Sequence, residues 1–204
     1  MSTEEARRPI EGTVVVVGDG SVGKTCLCEK YIKNEYVEGH DPTVFENYQK
    51  LFLVNDESVV MNISDTAGQD AYDRVRILCY SHATIFILCF AIDRPESLKN
   101  CETKWIPELT TYASKHDRDL VFILVGMKSD LRIDEDFMKQ VEKGEKSLIS
   151  EEEGQKVAER VGAYAYFEVS AKANQNVEDV FLCARDYIYD LKHVSSHSSC
   201  CSVV

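Results

Sequence analysis

This chain lacks a basic surplus. Its 35 acidic residues outnumber its 23 Lys and Arg, for a net charge of −12. That excludes nucleic acid as the main partner, because a phosphate backbone is met by a basic face, and it weakens attraction to anionic lipid. A long apolar run is also missing. The longest, Ile85 to Ile92, spans eight residues, far short of the roughly 20 that cross a bilayer. The start, Met1-Ser2-Thr3-Glu4-Glu5, has no basic-then-apolar leader, so a cytosolic location is expected. There is no C-x-x-C pair and no histidine cluster. Cys26, Cys28, Cys79, Cys89, Cys101 and Cys183 stand singly among apolar neighbours, as reduced structural thiols do, and neither zinc nor disulfides are expected. No internal repeat is visible.

What is present suits a folded protein. Hydrophobic residues make up 44% and charged residues 28% of 204, enough for one domain with a tail. We expect a flexible N-terminus over 1–12, a folded domain over 13–192 and a flexible tail over 193–204. Thr13–Val17 is a β-branched run ending at Gly18, a buried strand, and a helix over Lys24–Lys33 follows. Tyr48–Val54 and Ser58–Ser64 flank Asn55-Asp56-Glu57, predicting a hairpin. Thr84–Ile92, Leu120–Val125 (ended by Gly126) and Tyr164–Val169 are further strands. Pro95 opens a helix that Pro107 should kink. Ser150 and Glu153 form a capping box. Val177, Val180, Phe181, Ala184, Tyr187, Ile188 and Leu191 mark the last helix. Strands alternating with helices predict an α/β fold: a mostly parallel six-stranded sheet, one antiparallel edge strand, helices on both faces. The long stretch 132–149 should carry a short acidic helix, with Phe137, Met138 and Val141 on one side.

Gly18-Asp19-Gly20-Ser21-Val22-Gly23-Lys24-Thr25 matches G-x-x-x-x-G-K-[ST] after a strand and before a helix, the context of a phosphate loop. Backbone N–H groups and the helix N-terminus form an anion nest. Lys24 can reach the β/γ-phosphates, and Thr25 can offer its hydroxyl to Mg²⁺. Asp65-Thr66-Ala67-Gly68-Gln69 follows a strand, and ligands gather at strand carboxyl ends. Asp65 can therefore hold Mg²⁺, and Gly68 can present its N–H to a γ-phosphate. Gly126-Met127-Lys128-Ser129-Asp130 ends another strand. The Asp130 carboxylate matches the N1–H and amino group of guanine, an edge adenine lacks, while the Lys128 stem can cover the base. Ser170-Ala171-Lys172 ends the last strand, where a backbone N–H can meet the guanine O6.

Together with Pro42-Thr43-Val44-Phe45-Glu46-Asn47-Tyr48 and Tyr72-Asp73-Arg74, these motifs make the chain resemble a small GTPase of the Ras superfamily, of the Rho family in particular, from about Gly12 onward. The 132–149 segment resembles the Rho insert helix. The resemblance implies GTP and GDP as ligands with Mg²⁺, held by Thr25, Thr43 and Asp65. It assigns nucleotide contacts to Gly20, Ser21, Val22, Gly23, Lys24, Thr25, Cys26, Tyr36, Thr43, Gly68, Lys128, Asp130, Ser170, Ala171 and Lys172, and catalysis to Gln69 and Lys24. Two switches, about 35–48 and 68–80, would be ordered by the γ-phosphate. Exchange factors, activating proteins, a dissociation inhibitor and effectors (formins or kinases among them) are the implied partners of a monomer. Signalling to the actin cytoskeleton is the implied output. The chain would cycle between cytoplasm and the cytoplasmic face of membranes, the plasma membrane foremost. Cys201-Ser202-Val203-Val204 fits C-a-a-X, so Cys201 is the expected prenyl site, and Cys200 a second lipid site.

Four positions depart from the pattern. Met127 stands where small GTPases carry Asn or Thr, and a thioether is a weak acceptor without a donor, so faster nucleotide release is expected. Ser64 replaces a tryptophan common in Rho proteins, and His40 and Asp41 alter the first switch. No arginine lies between Arg8 and Arg74. The first switch therefore supplies none in cis, Arg74 and Arg76 resemble surface residues, and slow hydrolysis awaiting an arginine in trans is expected. Two other readings are a GTP-binding module without hydrolysis and a phosphate-loop nucleotide kinase. Gln69, Gly20 and Thr43 weigh against the first, Lys128 and Asp130 against the second.

Overall fold

A computed structural model describes residues 8–37, 39 and 43–198, with side chains as far as 193. The expectations for His40, Asp41, Pro42, Cys200 and Cys201 lie outside the described residues. The strands are β1 (Ile10–Gly18), β2 (Phe45–Val54), β3 (Glu57–Thr66), β4 (Ile85–Ala91), β5 (Phe122–Met127) and β6 (Ala165–Val169). They form one sheet in the order β2-β3-β1-β4-β5-β6. Only β2 runs antiparallel to its neighbour; the other pairs are parallel.

The β-branched run of β1 explains the sheet's two-sided core. Successive strand residues point to opposite faces. Val14 and Val16 pack with Leu27 and Tyr31 of α1 (Lys24–Lys33) and Val180, Phe181 and Ile188 of α7 (Val177–Ser198). Val15 and Val17 pack on the other side with Leu98, Trp105, Leu109 and Val157. Those four belong to α3 (Pro95–Asn100), the turn after it, α4 (Ile106–Lys115) and α6 (Glu151–Val161). The remaining helices are α2 (Asp73–Tyr80) and α5 (Glu135–Glu142).

Local signals set most boundaries. Asn55 and Asp56 both take positive φ, closing the hairpin over the Val54–Glu57 pair, as a two-residue turn demands. Ser150 accepts from Glu153 N while Glu153 accepts from Ser150 N, the reciprocal cap expected. Pro107 has no N–H to give the preceding turn. The chain answers with a π-turn over Cys101–Trp105, where Ile106 N reaches back to Cys101 O. The 132–149 stretch does contain a helix, α5, capped by Asp134 and seated on buried Phe137.

Four expectations need correction. β1 starts at Ile10, so 10–12 belong to the sheet rather than a flexible lead; Ile10 is buried and pairs with Val59. Gly126 does not end β5, because it is paired with both Phe90 and Glu168. Helix α7 continues to Ser198, past the expected tail boundary, since nothing there is Gly or Pro to stop it. Near its end Asn55 donates to Tyr189 Oη at 3.3 Å, and His193 lies 2.7 Å from Glu57. Arg76 is 1% exposed rather than a surface residue. Its guanidinium donates to Ala67 O at 3.0 Å, Asp73 at 2.6 Å and Glu108 at 3.2 Å, and stacks 4.6 Å from the Trp105 ring. A buried charge persists when paired in this way.

Candidate functional site

The carboxyl ends of β1, β3, β5 and β6 converge on one trough, made of two adjoining cavities of about 270 Å³ each. They share Gly23, Cys26 and Lys128. At one end Gly20, Ser21, Lys24, Thr25, Thr43, Gly68 and Gln69 form the wall.

The loop between β1 and α1 is shaped by contact. A Cβ at Gly18, where φ is +135°, would lie 2.1 Å from Cys89 O. Gly68 crosses the loop so closely that a Cβ would meet Asp19 C and Gly20 N at 2.4 Å. No other residue type fits there without moving the loop. The Gln69 side chain rests against Gly20, 3.8 Å from the position a Cβ would take. Lys24 is buried, and its Nζ donates to Gly18 O and Asp19 O, both at 2.8 Å. Burial lowers its pKa, opposed by the Asp65 charge. An ammonium has three donors, so one remains for an anion. Val22 faces away from the trough with its side chain. Its side chain is fully buried in the core, leaving only backbone for the trough.

Three oxygens meet beneath Lys24. Thr25 Oγ1 donates to Asp65 Oδ2 at 2.6 Å and lies 2.6 Å from Thr43 Oγ1. Asp65 is wholly buried, and burial lifts its carboxyl to about 6 against the Thr25 hydrogen bond and the Lys24 charge. Among the described residues its Oδ1 has no hydrogen-bond partner. An orphaned carboxylate oxygen beside two hydroxyls fits a hard cation that shares its shell with water and phosphate, as Mg²⁺ does.

At the other end Tyr36, Asp130, Ala171 and Lys172 line the cavity. Ser170 is buried behind them, donating to Asp130 Oδ1 at 2.6 Å and accepting from Ala173 N at 2.9 Å. The carboxylate is thereby oriented, with capacity left for two further donors. Lys128 takes a left-handed conformation, and its Nζ lies 3.0 Å from Asp93 Oδ2. Met127 places an apolar thioether where small GTPases carry Asn or Thr, and its carbonyl accepts from Ile92 N at 3.1 Å. It is 1% exposed, and its Cε lies 3.5 Å from where a Gly23 Cβ would be. Ser64 donates to Asn47 Oδ1 at 2.8 Å across β2 and β3 and is not among the residues that line the trough.

Sequence reasoning missed Asp93, Phe137 and Lys146, which also line the Asp130 end. It missed the seat of Asp19 as well, which accepts from Asn100 and Trp105, each at 2.7 Å. Only the acidic helical pattern of 132–149 hinted at Phe137. The others carry no local signal.

A strand-bound anion loop, a hydroxyl and carboxylate cation seat, and a carboxylate base clamp on a mostly parallel sheet define a nucleotide-binding G domain. Comparison with known proteins agrees: residues 13–190 match the Ras family model. The chain is 42% identical to the GTP-binding protein rho1 of Schizosaccharomyces pombe over 181 residues, 89% of this chain and 85% of that one. It is 43% identical to the same organism's GTP-binding protein rho5 over 179 residues, 88% and 86% of the two. The chain belongs to the Ras family, as a small GTPase of Rho type. With that membership come GTP and GDP as ligands, Mg²⁺ as cofactor and hydrolysis of GTP as the reaction.

Proposed function

We propose that the trough holds GTP with its phosphates at the Gly18–Thr25 loop and its guanine at Asp130, and that hydrolysis there switches a signal carried to membrane-associated effectors. The observation that carries this is the convergence of Thr25, Thr43 and Asp65 at the foot of the loop, where among the described residues Asp65 Oδ1 has no partner and Lys24 keeps a donor to spare.

In this reading the N–H groups of Gly20, Ser21, Val22, Gly23 and Lys24 surround the phosphates, with the Lys24 ammonium at the β/γ end. Thr25, Thr43 and Asp65 would hold Mg²⁺, which would supply positive charge to neutralise the phosphates. Asp130 receives the paired guanine donors, the Ala171 N–H meets the O6, and the stem of Lys128 and the ring of Tyr36 flank the base beside Cys26 and Lys172. Gln69 positions the attacking water over the Gly20 wall. A carboxamide is no base at neutral pH, so the rate rests on positioning and electrostatics. Slow intrinsic turnover follows, raised by a protein that adds an arginine in trans.

The finer assignments are part of the same proposal. Thr43 and Gly68 report loss of the γ-phosphate to segments 35–48 and 68–80. Those segments meet exchange factors, activating proteins, a dissociation inhibitor and effectors acting on actin. Cys201 carries a prenyl group that brings the chain to the cytoplasmic face of membranes. No helix among the described residues is long and apolar enough to cross one.

Phosphate release from GTP and from ATP, each with and without Mg²⁺, tests the core of this. Release confined to GTP with Mg²⁺ is expected. Equal use of ATP, or turnover indifferent to chelator, overturns it. Binding of GTP without any phosphate release supports a non-hydrolysing module instead.

A further inference from the structure

The loop that cradles the phosphates is held from outside by an arginine that the hydrolysis mechanism above leaves unused. Arg94 sits in the corner between β4 and α3, and its Nη1 donates to the Gly20 carbonyl at 2.8 Å. The corner itself is fixed from below. Buried Ser97 donates to Arg94 O at 2.6 Å and accepts from Ala91 N at 3.0 Å, while Arg94 N donates to Ala91 O at 2.9 Å. Pro95 follows and stiffens the corner further. The guanidinium is exposed, but the backbone that delivers it is not free to wander.

The accepting carbonyl occupies a consequential place. It belongs to the Gly20–Ser21 peptide, whose N–H is that of Ser21. Ser21 has φ 61°, the left-handed turn of an anion nest, and lines the trough beside Gln69. Gly20 is also the wall on which the Gln69 carboxamide rests. A charged donor on the oxygen of a peptide draws density from its nitrogen, so the N–H on the far side becomes a stronger donor.

We propose that Arg94 is a positioning residue for GTP hydrolysis that acts through the Gly20–Ser21 peptide. It pins the turn against which Gln69 is placed, and it strengthens the Ser21 N–H where negative charge grows on the phosphates in the transition state. Arg94 does not line the trough, so it is not an arginine finger. This inference rests on the proposed placement of GTP.

The experiment uses the full chain loaded with GTP, comparing the parent with Arg94→Ala and Arg94→Lys in single-turnover phosphate release with Mg²⁺. Release of a fluorescent GDP analogue and thermal melting are followed in parallel. Because the head group is exposed, the effect is moderate: Arg94→Ala slows hydrolysis by about three- to tenfold. Arg94→Lys recovers at least half of that loss, since an ammonium also donates to the carbonyl. GDP release changes by less than about twofold, because the strengthened donor matters most where charge develops. Hydrolysis by Arg94→Ala at the parent's rate overturns the inference, and so does a loss matched by equally faster GDP release, which marks a merely structural brace. A parent that loads no guanine nucleotide overturns the proposed function and this inference together. A parent that hydrolyses GTP at a rate Arg94→Ala shares overturns this inference alone.

Discussion

The indole N–H of Trp105 donates to Asp19 Oδ1 at 2.7 Å, tying the π-turn between α3 and α4 to the phosphate loop. The same ring takes the Arg76 guanidinium at 4.6 Å and the Lys104 ammonium at 4.6 Å. Arg76 holds Ala67 O, and Lys104 pairs with Asp70. One side chain thus touches the loop and, through two cations, the segment around Gln69. Trp105→Phe keeps the ring but strands a carboxylate oxygen. A loss of about 1.5–3 kcal/mol is expected, measured by urea unfolding with circular dichroism, since Trp105 is the sole tryptophan. Unchanged stability would show that water replaces the indole without cost.

Gly20 separates the loop from Gln69 by ordinary contact distance. Gly20→Ala adds one methyl at 3.8 Å and should leave hydrolysis within a fewfold of the parent. Gly20→Val adds two more carbons that reach into the carboxamide's place. A displacement near 1 Å costs about a hundredfold in rate, so phosphate release should fall by about that factor while GDP still binds. Equal rates for the two variants would remove Gln69 from the mechanism.

Met127 packs against Gly23 where a side-chain donor and acceptor would tie the base loop to the phosphate loop. Met127→Asn offers that tie. One net hydrogen bond is worth about 1 kcal/mol, so GDP should leave about fivefold more slowly. Stopped-flow displacement of a labelled GDP measures it, and a melting curve confirms that the new amide is accommodated. An unchanged off-rate in a folded variant discards the expectation of fast release.

Phe137 anchors α5 beside the Asp130 end of the trough, and Lys146 lies 4.9 Å from its ring centroid. Phe137→Ala removes that anchor and leaves a cavity costing about 3–5 kcal/mol if α5 does not collapse into it. Faster GDP release, by about fivefold or more, is expected alongside a lower melting temperature. A melting shift with an unaltered off-rate would confine α5 to a structural role.

That the Gly18–Thr25 loop, Asp65, Gln69 and Asp130 gather at one edge of the sheet is legible, because each lies in a short run that follows a strand. The capping box at Ser150 is legible from its own short run. Contacts made across the fold are not. Arg94 meets Gly20 across 74 positions and Trp105 meets Asp19 across 86, and neither end carries a pattern that names the other. Arg76 reads as a surface residue in the sequence because its counter-charges are only partly local: Asp73 is three residues away, but Glu108 is 32. Strand ends such as Gly126 are set by the neighbouring strands' pairing, which composition does not encode.

The last helix has a geometric consequence. Tyr189 and His193 lie against Asn55 and Glu57 at the hairpin, where β3 begins. Asp65 lies eight residues further along that strand, roughly 26 Å away at the rise of an extended chain. The far end of α7 therefore lies at the pole opposite the trough. A tether proposed at Cys201 would leave the mouth of the trough turned outward, where its contents can exchange.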